Sequence, residues 1–150
     1  MTMSNTTDSV PVYAVQLVRE RLFDGPVVRQ PSDVARLICD YLDRVDREHF
    51  VVVLLATNHQ VIGIHTCHIG TISASLVRVA DVFKVAILGN AACIIVAHNH
   101  PSGNTEPSRE DINITRRLVE AGALFDIPVR DSIIVATGGD YTSLAERGLC

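Results

Sequence analysis

A chain of 150 residues with 47% hydrophobic and 20% charged residues has the size and balance of one globular domain with one core, and too little length for two. Its formal net charge of −4, with basic residues scattered among acids, weighs against a dedicated nucleic-acid binder. No apolar run is long enough to cross a bilayer, and four dispersed cysteines (Cys39, Cys67, Cys93 and Cys150) without a CxxC pair weigh against both a disulfide framework and a four-cysteine zinc site.

Met1 to Val10 is polar and has neither a basic n-region nor an apolar h-region. It reads as a disordered leader, residues 1–10, ahead of a single domain over 11–150, and nothing in it directs the chain out of the cytoplasm. Val12 to Glu20 alternates and is rich in β-favouring residues, which predicts a strand, with helix as the competing reading. Gly25-Pro26 marks a turn. Pro31-Ser32-Asp33 opens a helix on which Val34, Leu37, Ile38 and Leu42 repeat at helical spacing, with Ser32 or Asp33 as N-cap.

Phe50–Ala56 and Gln60–Ile69 are two apolar runs separated by Asn58-His59, the pattern of a β-hairpin. Val82, Phe83, Ala86 and Ile87 mark one face of a helix that Gly89-Asn90 stops. Ala92 to Ala97 is wholly apolar, as a central strand is. After a loop from Pro101 to Pro107, a helix runs from Ser108 to about Leu124, followed by a strand over Val129–Ala136 and a short one at Tyr141–Leu144. Strands alternate with helices, which predicts a mixed α/β sandwich.

The chemistry concentrates where the buried strand breaks into a loop, at His98-Asn99-His100-Pro101. On an extended backbone, side chains two apart share a face, so both imidazoles point the same way. A catalytic zinc takes three such protein ligands and leaves one position open. On the following helix, positions 111, 114, 115 and 118 share a face that Ile114 and Leu118 mark as inward, so Asp111 also points inward from the first turn. Asp111 equally fits a capping box with Ser108 as N-cap. His65 and His68, three apart on a strand, face opposite sides, which argues against a second metal site with His49 and His59.

The stretch His98-Asn99-His100-Pro101-Ser102-Gly103 … Pro107-Ser108-Arg109-Glu110-Asp111 resembles the JAMM signature of JAB/MPN metalloproteases, and most of all their RadC-like branch. The likeness extends from about Val12 to Gly148, through Arg47-Glu48-His49-Phe50, Gly70-Thr71, Ala121-Gly122 and Tyr141 to Gly148. The resemblance implies an α/β, JAB/MPN-like fold: a curved mixed β-sheet with flanking helices, layered like cytidine deaminases. It implies a zinc ion (Zn2+) held by His98, His100 and Asp111. Glu48, whose plain reading is a solvated surface acid, matches the family's glutamate that acts on the metal-bound water. Ser108, whose plain reading is the helix N-cap, matches the serine that helps hold the oxyanion. The implied activity is hydrolysis of peptide or isopeptide bonds in a peptide or protein substrate. No membrane partner is implied, and pairing of two copies into a homodimer is compatible with it.

Two places depart from the family pattern. Val77-Arg78-Val79-Ala80-Asp81 stands where Val-His-Pro-Arg-Glu is common, and Asp131-Ser132 where Asp-His is. Both spare the implied ligands and bear on substrate choice. The alternatives are a non-catalytic MPN-type interaction module and a DNA-repair-associated accessory protein. The longer relatives' helix-hairpin-helix region has no counterpart in this length of chain. A zinc deaminase would need His-x-Glu and Pro-Cys-x-x-Cys, and a zincin His-Glu-x-x-His; the sequence has neither.

Overall fold

Proline lacks an N–H and has a preset φ, so it suits the first position of a helix, where that N–H would have no partner. Pro31 takes this place in α1 (Pro31–Tyr41), which makes Gln30 the N-cap rather than Ser32 or Asp33. Asp33 serves from the third position, its Oδ2 accepting the N–H groups of Arg29 and Gln30 at 2.9 and 3.1 Å. The computed structural model describes residues 9–150. Most of the expected leader, residues 1–8, lies outside the described residues.

The expected strand over Val12–Glu20 is not formed; the segment is irregular and its side chains are exposed, Val12 by 96% and Val15 by 72%. A strand needs a partner edge as well as a favourable composition. Here backbone pairing begins only beyond the segment, where Val61 N–H reaches the Pro26 carbonyl and Val28 N–H reaches that of His59.

The hairpin is as expected. Strands β1 (His49–Leu55) and β2 (Val61–Ile69) run antiparallel, and His59 turns the chain in a left-handed conformation at φ 64°. Helix α2 (Val79–Leu88) buries Val82, Phe83 and Ala86, and Asn90 takes the left-handed position after it at φ 52°. Strand β3 (Cys93–Asn99) is buried throughout. Helix α3 (Arg109–Phe125) is the crossover to the parallel strand β4 (Val129–Val135), and β5 (Tyr141–Ser143) closes the sheet antiparallel to β4.

The five strands lie in the order β2-β1-β3-β4-β5. Alternate residues of β1 and β3 feed two cores. Phe50, Val52, Leu54, Ile94 and Val96 pack against α2 and α3 through Phe83, Ala86, Ile114 and Leu118. Val51, Val53, Ile95 and Ala97 pack against α1 through Val34, Leu37 and Ile38. The result is the α/β layering expected of a JAB/MPN-like fold, with a mixed sheet between one helix and two.

One register detail corrects the sequence reading. The β1–β2 ladder shifts between Phe50 and Val51, leaving Cys67 outside the pairing; Val52 then faces His65 and Phe50 faces His68. A bulge of this kind restores the same face to residues three apart, so His65 and His68 lie on one side of the sheet. Among the described residues the four cysteines are free, and burial pushes the Cys67 thiol up to about 12, as suits a structural rather than a reactive thiol. No helix among the described residues is long and apolar enough to cross a membrane.

Candidate metal centre

Strand β3 carries His98 on the same face as Val96, into the layer occupied by α3, and His98 is fully buried. Its ring stacks on Phe50, the residue paired with it across β1, at a centroid distance of 5.9 Å and 17° between planes. Its Nδ1 is buried without a hydrogen-bond partner, so the ring makes its polar contacts through Nε2. His100 follows where β3 has ended; its N–H still bonds the Val135 carbonyl at 2.9 Å, which extends the β4 contact by one step.

Asp111 comes to the same point from α3. It is only 2% exposed, and its Oδ1 and Oδ2 lie 3.1 Å from His98 Nε2 and His100 Nε2. The two Nε2 atoms are themselves 3.1 Å apart. The capping box is present too: Ser108 Oγ accepts Asp111 N–H at 3.1 Å, and Asp111 Oδ2 accepts Ser108 N–H at 2.9 Å. The cap and the cluster therefore coexist, and the cap aims the carboxylate at the imidazoles.

The donor chemistry fits a cation. His100 Nδ1 is 2.7 Å from the Asn104 carbonyl oxygen, which can only accept, so Nδ1 carries the proton and a neutral ring presents a bare lone pair at Nε2. That lone pair faces a carboxylate oxygen and a second imidazole. Such a convergence is unfavourable unless a positive charge lies among the three, supplied by a proton or by a metal ion. Tetrahedral zinc with bonds of about 2.0–2.1 Å separates its donors by roughly 3.3 Å, close to the spacing here. His98, His100 and Asp111 form the group that could hold a metal among the described residues, and three donors leave a fourth position free.

The electrostatics follow the same logic. Burial pushes the Asp111 carboxyl up, but hydrogen bonds from the His100 and His98 rings outweigh it and hold the group well below the usual carboxylate range. The Asp111 contact raises the His100 pKa against the opposing effect of burial, with smaller help from the Asn104 carbonyl and the Glu48 charge.

The cluster opens into a cleft of about 500 Å3 lined by Glu48, Ile72, His100, Pro101, Ser102, Ser108, Glu110 and Asp111. Two of the three expected metal-site residues, His100 and Asp111, line it together with Glu48 and Ser108, and the fully buried His98 meets them from outside that lining. Glu48 is half-buried just ahead of β1, and its backbone is tied down: its carbonyl accepts Gly70 N–H at 2.8 Å. Sequence reasoning missed Ile72 and Glu110. The clue to Ile72 is its place just after Gly70-Thr71, and to Glu110 its adjacency to Asp111. Glu110 also reaches the loop before α2, accepting Ala74 N–H at 3.2 Å, while Arg117 donates to the Ala74 carbonyl.

The sequence is similar to that of known proteins. The RadC-like JAB domain family matches residues 28–149. A UPF0758 protein of Chloroflexus aggregans is 46% identical over 134 residues, covering 89% of this chain and 58% of that protein. One from Rubrobacter xylanophilus is 49% identical over 124 residues, covering 83% and 54%, and one from Moorella thermoacetica 50% identical over 123, covering 82% and 53%. The chain thus spans little more than half the length of these relatives. With the family matched over most of its residues and the cluster in place, the chain belongs to the RadC-like JAB domain family.

Proposed function

We propose that the protein is a zinc-dependent hydrolase of peptide or isopeptide bonds. The observation that carries this reading is the convergence of His98 Nε2, His100 Nε2 and an Asp111 carboxylate oxygen beside a cleft that Glu48 also lines. Two nitrogens and one oxygen with an open position form the donor set of catalytic zinc in several hydrolases. Zinc, when bound, supplies Lewis acidity and brings a water to near-neutral acidity.

The chain's own residues do the rest. Glu48 carries the proton: its carboxylate takes it from the attacking water and returns it to the leaving amine, as general base and then general acid. Ser108 Oγ already accepts from Asp111 N–H, which leaves its hydroxyl proton to donate to the oxygen that becomes negative at the scissile carbonyl. Asp111 and His100 hold their orientation through the cap and the Asn104 carbonyl, so little reorganisation is required as charge develops.

The test is a screen of quenched-fluorescent peptides and lysine-linked isopeptides with the protein as purified, after chelation, and after zinc is restored. Hydrolysis that disappears with chelation and returns with zinc supports the assignment. A zinc-loaded protein inert towards every substrate would instead favour the interaction-module alternative.

A further inference from the structure

Between the two histidines sits a residue whose side chain turns the other way. Asn99 is buried, and strand alternation directs its amide to the face of β3 opposite His98 and His100. Its Oδ1 accepts the backbone N–H of His49 at 2.7 Å, and its Nδ2 donates to the Arg47 carbonyl at 3.0 Å. Those groups belong to the two peptide units on either side of the Glu48 α-carbon. The second unit is also held at its other end, where the Glu48 carbonyl accepts Gly70 N–H.

Peptide units are planar, so the backbone freedom of Glu48 is the rotation of these two planes about its α-carbon. An amide that grips both planes at once fixes both rotations. Glu48 needs this because it lies outside the ladder: β1 begins at His49, and the last β1–β3 pair is Phe50–His98. Its upstream neighbours Asp46 and Arg47 are exposed, so the chain would otherwise fray here.

We infer that Asn99 is the positioning residue for Glu48, setting the general base at a fixed place relative to the ligands on either side of Asn99 in the chain. The inference rests on reading Glu48 as the proton carrier. An amide suits the position because it accepts at one atom and donates at the other. Aspartate at 99 would keep the His49 contact and set a carboxylate against the Arg47 carbonyl; alanine would lose both.

Two measurements test it. Residue-resolved amide exchange by NMR needs neither metal nor substrate: Asn99→Ala should speed exchange at His49 by about 10-fold or more while Ile95 in β3 keeps its rate, and Asn99→Asp should stay near the parent at His49. On a quenched-fluorescent peptide that the zinc-loaded parent cleaves, Asn99→Ala should lower kcat by about 10-fold or more with KM and zinc content little changed. Combined with Glu48→Gln it should add no further loss, because it acts through Glu48. If Asn99→Ala does not fold, Asn99→Asp carries the test, losing the Arg47 contact and hence kcat at unchanged zinc. Parent-like His49 exchange in Asn99→Ala, parent kcat in Asn99→Asp, or losses that multiply with Glu48→Gln would overturn the inference. A parent without metal and without hydrolysis would overturn the proposed function instead, and the His49 exchange would still decide the clamp.

Discussion

His100 Nδ1 lies 2.7 Å from the Asn104 carbonyl oxygen, and this contact fixes which nitrogen of the ring faces Asp111. The loop residue thereby does for His100 what an outer carboxylate or carbonyl does for metal-bound histidines generally, holding the tautomer that offers Nε2 as a ligand.

The same Nε2 can take either a proton or a metal, which gives the pH dependence its sign. His100 has a raised pKa in the metal-free fold, so its contribution to stability is complete below about 6.5 and is lost as pH rises through the raised value. Asp111 is lowered, so its contribution is present above about 3.9 and is lost as pH falls through its folded value. The metal-free cluster is thus most stabilising between these limits. Zinc must displace the His100 proton, so calorimetry should find a zinc-induced rise in Tm that is larger at pH 8 than at pH 6. An equal or smaller rise at pH 8 would contradict the competition.

Glu48→Gln keeps the size and removes the carboxylate that the proposed function uses as the base. Zinc content should match the parent while kcat falls by about 10²–10⁴-fold, the usual worth of a positioned general base. Retained zinc with parent activity would remove Glu48 from the mechanism.

Ser108 holds the N-terminus of α3 through Asp111 N–H. Ser108→Ala should cost about 1 kcal/mol, the typical worth of a helix cap, read as a lower urea midpoint at unchanged m. If the hydroxyl also donates in the reaction, kcat should drop by about 10²-fold or more. A variant that loses stability and keeps full activity would leave Ser108 with the capping role alone.

Gly122 is a packing requirement remote from the chemistry. A Cβ there would meet the Ile127 carbonyl oxygen at 2.6 Å and Val129 N at 3.3 Å, where α3 turns into β4. Gly122→Ala should therefore destabilise by about 1–3 kcal/mol with zinc content unchanged, as denaturant unfolding and elemental analysis would show.

Local pattern made most of the fold legible. Helical spacing at Val34, Leu37 and Ile38 and the wholly apolar run into His98 located α1 and β3, and the His98–His100 alternation located one side of the site. What escaped depends on partners distant in the chain. The Cys67 bulge is a property of pairing with Phe50 and Val51, and composition does not carry it. The segment from Val12 has strand-like residues but meets the edge of β2 only near Pro26. Asn99 grips backbone atoms 50 and 52 residues away, and backbone atoms leave no mark on sequence.

Zinc at His98, His100 and Asp111 is best sought by purifying the protein without added metal and determining zinc per chain by elemental mass spectrometry, beside Asp111→Ala. Zinc should be near-stoichiometric in the parent and lost in the variant, since Asp111 offers one of the three donors. A parent without zinc even after reconstitution, or a variant that retains it, would contradict the site.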